Sequence, residues 1–455
     1  MKKVDVIIIG AGGGLKLRPV SELGKKVVVI EKEKAGGTCL NRGCIPSKML
    51  IHAADVADEI REAEKFNLKV DTNIELNFEA LMERVSGFVD GESEGIVKNY
   101  ENNPNVEYIQ GEAKFLEDKV IEVNGERMTA EYIFIATGSR PRIPNIEGLE
   151  GTPYMTSKEA LRQEKQPKKM IVIGGGYIAV ELGHFYGAIG TEVHFLVRNT
   201  LLKQMDSEVT DEFCRVFRSK YNVHLNSQAK KVEYADGIFK VTTDGMDGEE
   251  VFEADSLFVA TGVVPNSDNL GLENTSIVVD ENGYIEVDEY LSTDVDGVYA
   301  LGDVVGNFLF RHSVNFEGEY LFRTLFEEPS DEPIVYSPMP YAVFSSPQVG
   351  GVGKTEDELK AEGISYVKGV NFYKNSAMGD ALRSDNGFVK LLFERETSRL
   401  VGAHIVGREA SNMIHMLVAY MNMEAGLDDL LSTIYVHPAL PENIRNAARK
   451  AKAQL

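Results

Sequence analysis

Two similar segments constrain the fold of this chain more than any other feature of its sequence. One reads VDVIIIGAGGG from position 4, and the other reads KKMIVIGGGYIA from position 168. In each, an apolar run typical of a buried parallel strand ends directly in glycines, which let the backbone turn sharply and approach a ligand closely. The pattern predicts two strand–turn–helix units of the dinucleotide-binding type within one chain.

The first unit carries an acidic residue at a characteristic distance beyond its glycines. The turn residues are Gly10, Gly12 and Gly14. The following strand, Val27–Ile30, ends at Glu31, which lies 21 positions after Gly10 (31 minus 10). An acid at this spacing binds the 2′-hydroxyl of a ribose, and the start of the intervening helix favours the charge of a pyrophosphate. The first unit is therefore predicted to bind a dinucleotide with an unmodified ribose.

The first unit also departs from the usual pattern. Leu15 occupies the position of the third glycine, and Pro19 interrupts the helix expected after the turn. The unit is short, since Gly24 comes 14 positions after Gly10 (24 minus 10). A glycine-rich turn that binds no ligand therefore remains an alternative for this segment.

The second unit has basic residues where the first has an acid. Its turn residues are Gly174, Gly176 and Ala179, the last replacing the glycine that allows close helix–strand packing. The next predicted strand, Val193–Val197, is followed by Arg198, with Lys203 five positions further on. An arginine pairs with a 2′-phosphate in bidentate fashion, whereas an acid would repel it. The site favours NADPH over NADH, unless Arg198 and Lys203 are only solvated surface charges.

Each unit is followed, further along the chain, by a second apolar segment of similar sequence. Residues Tyr132–Gly138 read YIFIATG, and residues Leu257–Gly262 read LFVATG, so an apolar strand ends in Ala-Thr-Gly both times. We place Thr137, Gly138 and Gly262 of these motifs among the cofactor-binding residues. The duplication supports two nucleotide sites, and two such sites suggest electrons passing between two cofactors.

A pair of cysteines indicates the chemistry. Cys39 and Cys44 lie five positions apart in AGGTCLNRGCIPSKML, after the small residues Gly37 and Thr38. The predicted helix after Cys44 would stabilise a thiolate through its dipole and lower the pKa of the thiol. Lys48 lies one turn along the same face, where its ammonium would favour a thiolate and a reduced flavin. We interpret the pair as redox-active.

Two other interpretations of the cysteine pair are weaker. A zinc site would need further Cys or His ligands, and the sequence offers no such cluster, so no metal is expected. A structural bridge would close only a very small loop. With three cysteines in 455 residues the chain has no disulfide framework, which suggests a reducing, cytoplasmic setting. The third cysteine, Cys214 in DEFCRVF, is expected on a helix face.

Composition excludes some partners. A formal net charge of −23 argues against nucleic acid and against an anionic membrane surface, although a salty cytoplasm could also explain it. No apolar run approaches the roughly 20 residues of a membrane helix. The partners expected are a small-molecule substrate and a second copy of the chain.

These motifs together resemble the FAD-dependent pyridine-nucleotide disulfide oxidoreductases, the family of glutathione reductase, lipoamide dehydrogenase and mycothione reductase. The redox motif is GGTCLNRGCIPSK, the second FAD motif is GVYALGDV, and the match runs nearly end to end. The resemblance implies an α/β fold with two Rossmann-like dinucleotide-binding domains and a C-terminal α+β dimerisation domain. Its implied bounds are FAD-binding segments 1–150 and 276–335, an NAD(P)H-binding domain 151–275 and a dimerisation domain 336–455.

The resemblance also assigns residues to the FAD. Asp303 matches the aspartate that binds the ribitol of the flavin. Gly111–Ala113 matches a backbone contact to the adenine end, made at Ala113. His312 falls where a backbone N–H meets the isoalloxazine ring. By the same resemblance the cofactors are FAD and NADPH, with NADH as a possibility.

The remaining implied residues belong to catalysis. Tyr177 matches the ring that covers the flavin until NADPH displaces it, and Glu181 matches the carboxylate that pairs with Lys48. His437 and Glu442, in IYVHPALPE, match the acid–base pair supplied across the dimer. Imidazole titrates near neutral pH, as a proton donor in thiol–disulfide exchange must, and Glu442 would orient the ring.

Local features favour one branch of the family. The run GCIPSKMLIHAADVADEIREAEKF resembles mycothione reductases, although Val263 and Asn412 replace residues common in the family. The predicted reaction is NADPH-dependent reduction of a low-molecular-weight disulfide, in which Cys39 attacks the substrate and Cys44 resolves the adduct. Lipoamide dehydrogenase is the main alternative. A flavin transhydrogenase or oxidase, or a non-enzymatic binding protein, would not need the cysteine pair.

Overall fold

The computed structural model describes residues 1–245 and 248–455. The strands are β1 (Lys2–Ile9), β2 (Val27–Glu31), β3 (Val106–Gln110), β4 (Lys114–Glu117), β5 (Val120–Val123), β6 (Glu126–Ile135), β7 (Ser139–Pro141), β8 (Lys169–Ile173), β9 (Glu192–Val197), β10 (Asn222–Leu225), β11 (Gln228–Ala235), β12 (Ile238–Gly245), β13 (Gly248–Ala254), β14 (Ser256–Val259), β15 (Val263–Pro265), β16 (Val298–Ala300), β17 (Pro340–Val343), β18 (Val349–Gly353), β19 (Tyr366–Phe372), β20 (Phe388–Glu394) and β21 (Leu400–Val406).

Helices of several kinds connect these strands. The α-helices are α1 (Gly37–Arg42), α2 (Cys44–Arg61), α3 (Phe78–Glu101), α4 (Ser157–Ala160), α5 (Tyr177–Ala188), α6 (Ser207–Lys220), α7 (Arg311–Phe322), α8 (Glu356–Ala361), α9 (Ala377–Ala381), α10 (Ala410–Asn422), α11 (Leu427–Ser432) and α12 (Glu442–Lys452). The 3₁₀ segments are Gly13–Leu23, Ala63–Phe66, Leu272–Asn274, Gly302–Val304 and Tyr373–Asn375, and Arg323–Glu327 forms a π-helical turn. Within residues 1–245 and 248–455, no helix has the length and apolarity required to span a bilayer.

The described residues divide into two compact units. The first unit consists of Met1–Met49, Glu79–Arg142 and Gly262–Val335. The second unit consists of Leu50–Phe78, Ile143–Thr261 and Tyr336–Leu455. The finer division into four segments remains a prediction.

The first unit is built on a mixed sheet with the strand order β3-β2-β1-β6-β5-β4, and β16 also pairs with β6. Strand β1 lies between β2 and β6 and runs parallel to both. Its residues 6–9 are buried, because side chains on both faces of a central parallel strand are covered. The carboxyl ends of β1 and β2 coincide, with Ile9 opposite Ile30, so the glycine turn and Glu31 lie at the same edge of the sheet.

The segment after the first glycine turn is a 3₁₀ helix, Gly13–Leu23, with Pro19 inside it. Three of its buried residues, Gly14, Leu17 and Val20, recur every third position, the period of a 3₁₀ helix, and Ser21 is also buried. Eleven residues at about 2.0 Å each span about 22 Å, whereas an α-helix would span only about 16 Å. The tighter winding therefore lets a short segment cross the sheet.

The second unit repeats this parallel arrangement. Its first sheet has the order β10-β9-β8-β14, matching β3-β2-β1-β6 position for position. Helix α5 follows the glycine turn and packs closely on β9, since a Cβ on Gly183 would lie 2.2 Å from the ring of Phe195. An antiparallel sheet, β11-β12-β13, completes this part of the unit.

The C-terminal part of the second unit is an antiparallel sheet of order β17-β18-β21-β20-β19. Helix α12 lies directly on β19, where a Cβ on Gly369 would be 1.8 Å from the carbonyl oxygen of Ala447. The fully buried Lys390 of this sheet donates to Asp206 and Glu356 at 2.9 and 2.6 Å, so the charge of a buried ammonium is compensated. The fold class predicted from the sequence is confirmed.

Candidate active site

The glycines of the first turn are needed because the backbone there is crowded. Gly10 has φ +105°, and a Cβ on it would lie 2.3 Å from the carbonyl oxygen of Ala136. A Cβ on Gly12 would be 3.2 Å from Cα of Gly37, and one on Gly14 would be 2.4 Å from the side chain of Ile8. The turn thus presents bare backbone, which fits close approach of a dinucleotide pyrophosphate.

Glu31 lies at the end of β2 with both carboxylate oxygens engaged. They accept hydrogen bonds from the backbone N–H groups of Ala11 and Glu33, each at 2.9 Å. Burial raises the pKa of Glu31, while the Ala11 N–H and the Arg42 guanidinium act in the opposite direction. The backbone bonds fix the carboxylate at the edge of the sheet, where a ribose of a bound dinucleotide would be expected.

Asp303 lies in the 3₁₀ turn Gly302–Val304 and accepts a hydrogen bond from the Ser139 hydroxyl at 2.6 Å. Burial raises the pKa of Asp303, and the Ser139 hydroxyl lowers it. The buried Glu317 of α7 accepts the N–H of Gly302 at 2.6 Å and fixes the turn. Sequence reasoning missed Ser139 and Glu317, although Ser139 directly follows the first Ala-Thr-Gly and could have been found there.

The first Ala-Thr-Gly is bonded to the loop after the second. The Thr137 hydroxyl donates to the carbonyl oxygen of Asn266, and the Asn266 amide donates back to the carbonyl oxygen of Thr137, both at 2.9 Å. Gly138 and Gly262 adopt φ +68° and +109°, which glycine tolerates best. Strands β7 and β15 then pair in antiparallel fashion, so both motifs contribute backbone to the first unit.

Two further predicted FAD contacts lie elsewhere in the first unit. Ala113 is buried just before β4. His312 is the second residue of α7, and its ring stacks on Phe310 with centroids 5.0 Å apart. The backbone N–H of His312 therefore belongs to the first turn of a helix, where N–H groups point out along the axis.

The two redox cysteines lie at the starts of consecutive helices. Cys39 is in α1, and Cys44 is the first residue of α2. Their side chains are hydrogen-bonded to each other. Cys39 is half-buried and Cys44 is exposed. Gly37 and Thr38 open α1 immediately before Cys39, and Lys48 follows Cys44 by one turn of α2.

The pKa of the Cys39 thiol is raised. The hydrogen bond with Cys44 is the largest cause, burial is the second, and the negative charge of a Cys44 thiolate is the third. Arg311 and Lys48 act in the opposite direction. The two sulfurs therefore do not ionise together. Arg311 was not predicted from the sequence.

The second glycine turn has a different side-chain setting. Gly174 has φ +135°, and Gly176 precedes the first residue of α5, Tyr177. Arg198 and Lys203 are exposed beyond the end of β9. Within the described ranges, neither basic side chain has a hydrogen-bond or ion-pair partner. Both cations are therefore available to an anionic ligand.

Tyr177 and Glu181 occupy successive turns of α5. Burial raises the pKa of Tyr177 to about 12, and the nearby Glu181 adds to this. The buried Glu181 accepts the N–H of Phe344 at 2.9 Å. Lys48 belongs to the other compact unit, so its pairing with Glu181 stays a prediction.

His437 and Glu442 form a hydrogen-bonded pair, with 3.0 Å between Nδ1 of the ring and Oε2 of the carboxylate. The His437 side chain is 70% exposed, whereas that of Glu442 is only 6% exposed. Burial opposes ionisation of Glu442, but the Ala439 N–H, His437 and Arg445 together hold its pKa below the usual value. A buried carboxylate therefore orients an imidazole whose other nitrogen faces outward.

The glycine turns, Glu31 and Asp303 fit two dinucleotides, and comparison with known proteins agrees. Residues 4–318 match the profile of the family described as pyridine nucleotide-disulphide oxidoreductase. Residues 339–448 match the profile of the dimerisation domain of the same family. The C-terminal sheet and its covering helices therefore correspond to a dimerisation domain.

Individual relatives match over nearly the whole chain. Mycothione reductase of Mycobacterium tuberculosis is 33% identical over 98% of this chain and 99% of the relative. Dihydrolipoyl dehydrogenase of Bacillus subtilis is 34% identical over 99% and 96%. Among solved structures, the HOCl-induced flavoprotein disulfide reductase RclA from Escherichia coli matches with a TM-score of 0.87, at 26% identity, over 98% of this chain and 99% of that chain.

Proposed function

Because the chain belongs to the pyridine nucleotide-disulphide oxidoreductases, enzymes that use FAD and NAD(P)H, we propose that it reduces a low-molecular-weight disulfide with electrons from NADPH. The observation that carries the proposal is the hydrogen-bonded pair Cys39 and Cys44, with Lys48 and Arg311 acting electrostatically on it. When bound, FAD supplies the two-electron transfer that links NADPH to this pair.

The raised pKa of Cys39 implies a need for a base. Cys39 becomes a nucleophile only when a neighbouring group accepts its proton, and His437 of the partner subunit is our candidate. The Cys39 thiolate attacks one sulfur of the substrate disulfide, and the departing thiolate takes the proton from the imidazolium. Cys44 then attacks Cys39 in the mixed disulfide, which releases the second substrate thiol and leaves the Cys39–Cys44 disulfide.

A homodimer would bring His437 to the cysteines of the other subunit. The segment that carries His437 exposes apolar side chains, with Ile434 96% and Val436 77% accessible. Such a strip next to an outward-facing imidazole suits an interface between copies. The dimerisation domain of residues 339–448 supports the same arrangement. A cytoplasmic location, inferred from cysteine usage, belongs to the proposal.

The NADPH preference rests on the end of β9. Arg198 is exposed directly after β9, where the first unit has Glu31 at the end of β2, and the exposed Lys203 lies five positions further on. A guanidinium can bind a 2′-phosphate with two parallel hydrogen bonds.

A second candidate is dihydrolipoamide dehydrogenase, which runs similar chemistry toward NAD⁺. The 34% identity to dihydrolipoyl dehydrogenase of Bacillus subtilis favours it as much as the 33% identity to mycothione reductase favours the first proposal. Rapid NAD⁺ reduction by dihydrolipoamide, with no turnover of NADPH against small disulfides, would establish the second candidate in place of the first.

The direct test is NADPH oxidation by the purified holoenzyme with mycothiol, glutathione, glutamyl-cysteine and coenzyme A disulfides. We expect turnover with at least one of them. Cys39→Ser should abolish disulfide reduction, since no nucleophilic sulfur remains, and leave reduction of the flavin by NADPH intact. Cys214→Ser is the matched control, because Cys214 is buried in α6 beside Thr200 and should be dispensable. Loss of both half-reactions in Cys39→Ser would contradict the role proposed for this residue.

A further inference from the structure

The helix that begins at Cys44 carries three acidic residues near its far end. Asp55, Asp58 and Glu59 lie at positions i, i+3 and i+4 of α2, so they share one face. Each is paired with a basic side chain from another element of the second unit, to which residues 50–61 of α2 also belong. Oδ1 of Asp55 lies 3.2 Å from Nε2 of His184. Oδ2 of Asp58 lies 2.8 Å from Nζ of Lys220, and Oε1 of Glu59 lies 2.6 Å from the guanidinium of Arg408.

The pair of Asp55 and His184 differs from the other two because its basic partner is fully buried. The His184 side chain is 0% exposed and that of Asp55 is 40% exposed, whereas Lys220 and Arg408 are 25% and 48% exposed. Exposed ion pairs contribute little to positioning, because water competes for both partners. By contrast, when the partner of a fully buried ring nitrogen is removed, no water molecule replaces the lost hydrogen bond.

The other nitrogen of His184 also has a hydrogen-bonding partner. Its Nδ1 lies 2.8 Å from the hydroxyl of Tyr221. Burial raises the pKa of Tyr221 far above its ordinary value, with the nearby Asp58 adding to the effect, so the phenol is protonated and can donate to Nδ1. Because a carboxylate oxygen accepts hydrogen bonds, Nε2 of His184 carries a proton and donates it to Asp55.

His184 connects this bond to the nucleotide-binding turn. It lies on α5, three positions beyond Glu181 and seven beyond Tyr177, which opens the helix after Gly176. One part-buried hydrogen bond therefore joins the helix of the second glycine turn to the helix that bears a redox cysteine. The proposed catalytic steps use none of Asp55, His184 and Tyr221.

We propose that the Asp55–His184 hydrogen bond is a positioning contact for the redox helix α2, and hence for the Cys44 sulfur at its first residue. The inference rests on the disulfide reductase function proposed above. An 18-residue α-helix behaves as a rod, and Asp55 lies 11 residues from Cys44 (55 minus 44), about 16 Å along it. A small change in lateral placement at Asp55 is therefore transmitted to the sulfur.

The test compares Asp55→Ala with Asp55→Asn and with His52→Ala in the holoenzyme. Asparagine keeps an oxygen that can accept the Nε2 proton, so it should preserve the contact, whereas alanine removes the acceptor. His52 is exposed on the same helix and serves as the control. The readouts are the long-wavelength charge-transfer absorbance of the NADPH-reduced enzyme, amide hydrogen exchange over residues 44–55, the kcat and KM of disulfide reduction, and Tm.

For Asp55→Ala we expect the charge-transfer absorbance to fall at least about twofold and kcat to fall about tenfold, because reacting groups tolerate little misplacement. The KM for NADPH should stay unchanged, and exchange over residues 44–55 should quicken. Asp55→Asn and His52→Ala should resemble the wild type. If Asp55→Ala lowers only Tm and leaves absorbance, exchange and kcat unchanged, the pair is merely structural and the inference is wrong. A wild-type enzyme without charge-transfer absorbance or disulfide turnover would instead overturn the proposed function.

Discussion

The two glycine turns make the same close contact with a neighbouring backbone carbonyl group. A Cβ on Gly10 would meet the carbonyl oxygen of Ala136 at 2.3 Å, and a Cβ on Gly174 would meet that of Ala260 at 2.2 Å. Both alanines begin an Ala-Thr-Gly motif. The repeated sequence motifs therefore also pack in the same way, because each turn lies against the end of the neighbouring strand. The same close contact occurs in both turns, so the shape of such a turn depends on backbone geometry and not on side-chain chemistry.

Side chains at the end of the second strand distinguish the two turns. After β2 the chain has Glu31, bonded to the backbone of its own turn. After β9 it has Arg198, exposed and directed to no partner among the described residues. The comparison teaches that one backbone turn can be followed by side chains of opposite charge, and under the proposed function these side chains select between a ribose hydroxyl and a 2′-phosphate.

The helices that follow the turns also differ. Helix α5 is a regular α-helix, while Gly13–Leu23 is a 3₁₀ helix closed by i→i+3 bonds such as Gly24 N–H to the carbonyl oxygen of Ser21. A long 3₁₀ helix is uncommon because its hydrogen bonds are less favourable. The shortened first unit accounts for it, since only the longer rise per residue lets so few residues cross the sheet.

Arg198→Glu should produce the largest effect on this comparison, because it makes the second turn resemble the first. We expect the ratio of kcat/KM for NADPH to that for NADH to fall about 100-fold, since a charge-assisted hydrogen bond of about 1.5–3 kcal/mol is replaced by repulsion. Steady-state kinetics with both coenzymes measures it. Arg218→Glu, an exposed arginine of α6, is the control. An unchanged ratio would remove Arg198 from the site.

Gly176→Ala should have an intermediate effect and would separate an effect on ligand binding from an effect on folding. Gly176 has φ −87°, and no atom within the described part of the chain lies within 4 Å of a Cβ there. We expect the KM for NADPH to rise about tenfold, because the methyl group would meet the pyrophosphate, with bound FAD retained.

The counterpart in the first turn is Gly12→Ala, whose Cβ would lie 3.2 Å from Cα of Gly37. This variant should lose FAD while Gly176→Ala keeps it, as the flavin absorbance per chain would show. Equal loss of FAD in both variants would mean that the two turns do not serve separate ligands.

Pro19→Ala should have the smallest effect and would separate segment length from proline as the cause of the 3₁₀ winding. We expect Gly13–Leu23 to stay 3₁₀ and Tm to change by less than about 3 °C. A crystal structure of the variant, or its Cα chemical shifts, would show the winding. Pro104→Ala, at an exposed loop proline, controls for the general effect of proline on the unfolded chain. Conversion of the segment to an α-helix would make proline the cause.

Much of the architecture could be predicted from local sequence. The strands Val27–Ile30 and Val193–Val197 differ by a single residue from β2 and β9, because continuous apolar runs bounded by glycine or charge leave few alternatives. The helix expected after Cys44 begins at Cys44 itself. The fold class, the family and its cofactors followed from the order of these motifs.

Contacts between distant segments could not be predicted in the same way. Ser139 and Asp303 are 164 positions apart, and Asp55 and His184 are 129 positions apart. The raised pKa of Cys39 could not be predicted for the same reason, because the hydrogen bond with Cys44 and the burial of the thiol cannot be inferred from sequence.

The sequence by itself therefore determined where the backbone turns and which reactive groups the chain carries, since glycines, cysteines and apolar runs act through their immediate neighbours. Only the tertiary structure decided that the pKa of Cys39 is raised, which carboxylates are buried and which distant side chains are hydrogen-bonded to each other. Those properties depend on desolvation and hydrogen bonding, and both arise when segments far apart in the chain pack together.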